Sequence, residues 1–144
     1  MISGRRWLFI GMVAAALATT PSTPAAAEDT IKVGVVVEMS GPFAAYGRQI
    51  TSGMRAYLKA HGDTVAGKKI ELIVKDTTGP APDLARRVAQ EMVMRDKVQF
   101  LAGFGLTPNA MAVASVATEA KVPMIVMNAA TSAITTKSPY IVRV

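Results

Sequence analysis

Three short segments carry residue types that could hold a small anion. Thr107 stands just ahead of Pro108 at the start of an apolar-periodic run, where unpaired backbone N–H groups and the helix dipole favour a carboxylate. Asn128-Ala129-Ala130-Thr131-Ser132 offers small residues that let a ligand approach the backbone, and hydroxyls that donate to an anion or accept from an ammonium. Ser40-Gly41-Pro42-Phe43-Ala44-Ala45-Tyr46-Gly47 puts an aromatic ring, Tyr46, at the mouth of another predicted helix, where it can cover an apolar or aromatic group. Each segment also has a plainer reading: Thr107 as a structural N-cap, 128–132 as a turn, Tyr46 as packing.

Other chemistry is poorly provided for. The 144 residues include no Cys and one His, His61, which excludes a disulfide scaffold, a thiolate metal site and a cysteine nucleophile, and leaves little for metal or triad chemistry. There is no Gly-x-Ser-x-Gly elbow, no phosphate-binding Walker loop and no His-Glu-x-x-His, and Glu38, Asp76 and Asp83 form no acid–base pair by spacing. Gly103-Phe104-Gly105-Leu106-Thr107-Pro108 approaches a dinucleotide fingerprint, but Pro108 replaces the third glycine and Met127-Asn128 stands where a ribose-binding acid belongs. Asp76 is read as an aid to the turn that follows it, and His61 as a surface residue at a helix C-terminus. An enzyme is not expected, and neither a cofactor nor a metal is called for.

The elements that would position these segments alternate. Residues 31–37 are β-branched and nearly continuous, as in a strand buried on both faces. Ile50, Met54, Tyr57 and Leu58 place one apolar stripe on a helix over 46–61. Residues 69–75 alternate like a strand with a wet face, expected at a sheet edge. Pro82 suits a first helical position, followed by Leu84, Val88 and Met92 at helical spacing. A strand over 98–103, a helix over 108–120 with Ala110, Val113, Ala114 and Ala117 inward, and strands over 122–127 and 140–144 complete the series. Such alternation predicts an α/β fold, a parallel sheet flanked by helices, with ligands beyond the carboxyl ends of the strands at loops 38–46, 104–108 and 128–135.

With 51% hydrophobic and 18% charged residues the chain can bury a proper core, which argues against intrinsic disorder. Residues 1–27 run from Arg5-Arg6 through an apolar stretch to Ala25-Ala26-Ala27, the layout of a secretory signal peptide cleaved near Ala27, and Arg5-Arg6 also resembles a twin-arginine export signal. The apolar stretch is too short to span a bilayer. Two basic groups fall in that leader, so the remaining chain is less basic than the overall net charge of +6. Its doublets Lys68-Lys69 and Arg86-Arg87 have no aromatic neighbours and read as solvated faces, so nucleic acid is not an expected partner.

In their order and spacing, Ile31 to Val37 with Met39-Ser40-Gly41-Pro42-Phe43-Ala44-Ala45-Tyr46-Gly47, then Gly67-Lys68-Lys69-Ile70-Glu71-Leu72, Val122-Pro123-Met124-Ile125, Asn128-Ala129-Ala130-Thr131-Ser132-Ala133-Ile134-Thr135 and Ser138-Pro139-Tyr140 resemble the type I periplasmic solute-binding proteins of the branched-chain amino-acid transporter group. The resemblance covers 28–144 and implies a Rossmann-like lobe of a two-lobed clamp, monomeric when full length, which captures a small solute in the periplasm and delivers it to an inner-membrane ABC permease. It implies further that 28–144 is the N-terminal lobe alone, the sequence being a fragment. Tyr46 would cover the ligand side chain, Thr107 and its neighbouring backbone would bind a carboxylate, and Ala129 (through its carbonyl) and Thr131 would hold the α-amino group or the carboxylate edge. Leucine-type binders often carry serines where this chain has Leu106-Thr107-Pro108-Asn109. The resemblance therefore leaves open amino acids, aromatic or other organic acids, or the sensor lobe of a receptor.

Overall fold

The computed structural model describes residues 30–144, so the leader reading of 1–27 lies outside the described residues. The elements in chain order are β1 (Thr30–Val37), α1 (Ala44–His61), β2 (Thr64–Val65), β3 (Lys68–Asp76), α2 (Pro82–Glu91), β4 (Phe100–Gly103), α3 (Thr107–Ala120), β5 (Met124–Val126) and β6 (Ile141–Arg143). A single π turn, Met92–Asp96, extends α2, and a 3-10 segment, Ser132–Lys137, precedes β6.

The sheet order is β2-β3-β1-β4-β5-β6, with every pairing parallel except that of β2 with β3. The α/β expectation holds, with one correction. Residues 64–65 form a strand that periodicity could not reveal, because two residues have no period. Ala66 and Gly67 both take positive φ (50° and 78°), the tight primed turn that folds an antiparallel hairpin back onto the start of β3. β3 is therefore covered at its first residues and lies at the edge only further along.

The two faces of the sheet are packed differently. Leu101, Met124 and Val126 meet Ala85, Val88, Ala89 and Met92 of the α2 segment and Ala110, Val113 and Ala117 of α3 in one buried cluster. Alanines at these positions let the two helices approach closely, and each large side chain such as Met92 or Leu101 contributes about 1.5–3 kcal/mol by leaving water. On the other face α1 stands alone. Its Met54, Tyr57 and Leu58 join Leu72, Phe100 and Ile125 around an apolar groove of about 500 Å³, and Tyr57 remains 62% exposed. The predicted stripe thus faces the sheet without closing over it. Among the described residues no helix is long and apolar enough to cross a membrane.

Candidate functional site

β1, β4 and β5 are parallel neighbours, so the loops that leave their carboxyl ends emerge side by side. The order reverses between β1 and β4, since the chain passes from β1 outward to β3 before returning to β4 on the other side. Loops leaving such a point diverge and open a crevice.

Hydrogen bonds fix the loop after β4 to the end of β1 and to the loop after β5. Phe104 N–H donates to the Val36 carbonyl (2.7 Å), Met127 N–H to Gly103 (2.8 Å) and Ala129 N–H to Phe104 (3.0 Å), while the Asn128 side-chain amide donates to the Gly105 carbonyl (2.8 Å). Phe104 itself is fully buried with φ of 64°, a left-handed conformation unusual for an aromatic residue. The bonds at its N–H and carbonyl hold it there, and the sharp turn it makes directs Gly105 and the start of α3 across the strand ends.

The loops that carry the predicted site residues leave the sheet at this edge. Thr107 is half-buried, Thr131 is half-buried one loop away, and neither hydroxyl has a hydrogen-bond partner among the described residues. One expectation is corrected: Thr107 does not cap α3. Leu106, extended at φ −119° and ψ 137°, is the N-cap, Thr107 is the first helical residue, and no side chain caps the helix. Pro108 fits because a first-turn residue has no intrahelical use for its N–H. The first-turn amides that remain, and the Thr107 hydroxyl, are consequently not spent on capping. Ala129 is 2% exposed and its N–H is engaged by Phe104, so only its carbonyl is left to offer. Tyr46, in the first turn of α1, is 39% exposed and stacks on Phe43 with ring centroids 6.2 Å apart.

Below these residues lies a polar cluster that spacing did not reveal. Glu38, Thr77 and Asn109 are all fully buried. The Asn109 amide nitrogen donates to Glu38 Oε1 (2.8 Å), Thr77 Oγ1 (3.3 Å) and the Gly79 carbonyl (2.9 Å), while its oxygen accepts from Ala81 N–H (2.9 Å). Thr77 Oγ1 donates to Glu38 Oε1 at 3.4 Å. The sequence signal was a carboxylate directly after a run of buried valines, where an unpaired charge would be costly.

Asp76 ties a second pair of loops. Its Oδ1 accepts from Met39 N–H and Thr78 N–H, each at 2.7 Å. Burial raises the pKa of this carboxyl, but the Ser40 hydroxyl and the Thr78, Met39 and Ser40 amides outweigh that and hold it below the usual carboxylate value. The turn-forming role expected of Asp76 is what the geometry gives. Gly41, at φ 70°, completes the contact: a Cβ there would stand 2.7 Å from the Thr78 carbonyl. His61, as expected, ends α1, where its Nδ1 lies 3.1 Å from the Tyr57 carbonyl. No cluster of potential metal ligands occurs among the described residues.

A doubly flanked, mostly parallel sheet whose strand order reverses between β1 and β4 defines an α/β lobe of the doubly wound kind. A family profile for periplasmic binding proteins matches residues 30–144, and the chain belongs to that family. The Leu/Ile/Val-binding protein homolog 6 of Brucella abortus (strain 2308) is 47% identical over 119 residues, 83% of this chain and 30% of the relative. Among solved structures, an ABC transporter solute-binding protein from Rhodopseudomonas palustris BisB5 in complex with 3,4-dihydroxybenzoic acid superposes with a TM-score of 0.78 at 58% identity, covering 81% of this chain and 32% of that one. A branched-chain amino acid transporter substrate-binding protein from Streptococcus pneumoniae in complex with isoleucine superposes at 0.72 and 30% identity, covering 79% of this chain and 33% of that one. The chain spans about a third of the length of these relatives.

Proposed function

We propose that this chain supplies one wall of the solute-capturing component of an ABC importer, and that its ligand is a small aromatic carboxylate of the hydroxybenzoate type rather than a branched-chain amino acid. What supports this is that Ala129 and Asn128 bond to Phe104 and Gly105, joining the loops that carry Thr131 and Thr107, that neither hydroxyl has a partner among the described residues, that α3 starts uncapped, and that the Tyr46 Cβ stands beside Gly105. Such a wall suits a carboxylate on a flat apolar body. It does not suit an ammonium: the only acid within the three loops, Glu38, is fully buried. The higher identity to the dihydroxybenzoate-bound relative than to the isoleucine-bound one supports the same choice.

In this reading Tyr46 covers the ring, Thr107 and the adjacent amides take the carboxylate, and Thr131 with the Ala129 carbonyl holds the opposite edge of the ligand. The protein is exported, the leader is removed near Ala27, and a second lobe closes over the bound solute to create the form that an inner-membrane permease recognises. It works as a monomer, and binding rather than turnover is the whole of its chemistry. Calorimetric titration of the full-length protein with 4-hydroxybenzoate and with isoleucine tests this. Binding of the benzoate alone, or far more tightly, is expected; tighter binding of isoleucine overturns the ligand class.

A further inference from the structure

Glu38 is a fully buried acid at the carboxyl end of β1, and it touches α1, the loop after β3, the loop after β4 and the first turn of α3. Its Oε1 accepts from Asn109 on α3 and from Thr77 after β3. Its backbone carbonyl lies against Gly47 of α1, where a Cβ would collide with it. Its Oε2 has no hydrogen-bond partner among the described residues and occupies the space that a Cβ on Gly105 would need. The same absent Cβ would lie 3.1 Å from Tyr46 Cβ and 3.2 Å from Glu38 Cδ. Gly105 is therefore pressed between the buried carboxylate and the base of the Tyr46 side chain, and its carbonyl is held from the other side by Asn128.

We propose that Glu38 is a positioning residue for ligand capture. It sets the separation between the Tyr46 wall and the Gly105–Thr107 wall, and it restricts position 105 to glycine. This rests on the reading that these loops take a small carboxylate. The physical argument is that a buried carboxylate with one oxygen bonded to two side chains cannot shift without breaking both bonds, so whatever rests on its second oxygen is held at a fixed height. A methyl at 105 must displace either that oxygen, dragging Asn109 and the first turn of α3 with it, or Tyr46.

The test is a mutant cycle on the full-length protein, read by calorimetric titration with 4-hydroxybenzoate, by melting temperature, and by amide hydrogen exchange over 38–47 and 104–110. Gly105→Ala is expected to weaken binding about tenfold and to lower the melting temperature, and Glu38→Ala to relieve a large part of the binding loss, since contacting residues couple by up to about a hundredfold. Glu38→Gln keeps the shape and an acceptor for Asn109, and is expected to bind within about threefold of the parent, whereas Glu38→Leu raises exchange in both segments and weakens binding about tenfold. Additive effects at 38 and 105, or a Gly105→Ala protein that binds like the parent, overturn the proposal even if Glu38→Ala fails to fold. Exchange needs no ligand. If the parent binds no benzoate, the ligand assignment falls, and exchange in Glu38→Leu still decides: faster in both segments supports the fixed floor, unchanged overturns it.

Discussion

The carboxyl edge of the sheet has a floor and a rim, and they use their polar groups in opposite ways. In the floor, Glu38, Thr77 and Asn109 are fully buried and bond to one another and to the neighbouring backbone at 2.8 to 3.4 Å, with only Glu38 Oε2, closed off against Gly105, left unbonded among the described residues. At the rim, Thr107 and Thr131 are half-buried with hydroxyls not bonded to any described residue, and Tyr46 is 39% exposed. Groups already saturated by the protein have nothing to give a guest, while those left unsaturated beside water lose little by waiting for one. On the proposed function, the contrast separates residues that hold the loops in shape from residues offered to the solute.

The strongest way to break this contrast is to remove the centre of the floor. Asn109→Leu deletes the donor to Glu38, Thr77 and Gly79 and the acceptor for Ala81, leaving several buried groups unpaired. A loss of about 3 kcal/mol in stability is expected, read as a lower denaturant midpoint at unchanged slope, with weaker binding as a consequence. A midpoint like that of the parent would place the floor among decorative contacts. Thr131→Val at the rim is expected to do the reverse. It removes one hydroxyl and weakens binding of 4-hydroxybenzoate by about 1–3 kcal/mol, with the denaturant midpoint unmoved. Unchanged affinity would take Thr131 out of the site. Tyr46→Ala sharpens the comparison within the rim: discrimination between aromatic and aliphatic carboxylates, measured as a ratio of affinities, is expected to shrink more than carboxylate recognition as a whole. A uniform loss across both ligand types would argue against the covering role.

How far the two zones could be read from the chain follows from the range of the forces involved. β1 was legible in its β-branched run, β3 in the alternation of its residues, and α3 in the spacing of Ala110, Val113, Ala114 and Ala117, all buried as expected. That the loops after β1, β4 and β5 leave one edge was legible too, because loops that follow parallel strands must gather there. The floor was not. Glu38 bonds to Asn109 across 71 residues, and no local pattern announces a partner that only the crossover from β3 to β4 brings near. The misplaced cap at Thr107 has a local cause, since Leu106 takes the extended conformation a cap requires and the helix starts one residue earlier than Pro108 implied. The groove beside α1 shows the limit of periodicity: it gives the face a helix turns inward, not how much of a sheet one helix can cover.

The smallest expected effect concerns the outer tie of the floor, and its sign is fixed. Asp76 is held below the usual carboxylate pKa in the folded chain, so the unfolded chain binds a proton at this residue more readily than the folded one does. Its contribution to stability is therefore complete above the ordinary carboxylate pKa, and it is lost progressively as pH falls through the lowered folded value. Asp76→Asn keeps an oxygen that can accept from Met39 and Thr78 but removes the charge that strengthens those bonds. The variant is expected to be slightly less stable than the parent near neutral pH and to converge with it in acid, as unfolding midpoints measured across that range would record. A constant gap at every pH would mean that geometry alone, not ionisation, lets Asp76 pin the loop bearing Ser40, and the tie would then belong with the neutral bonds of the floor.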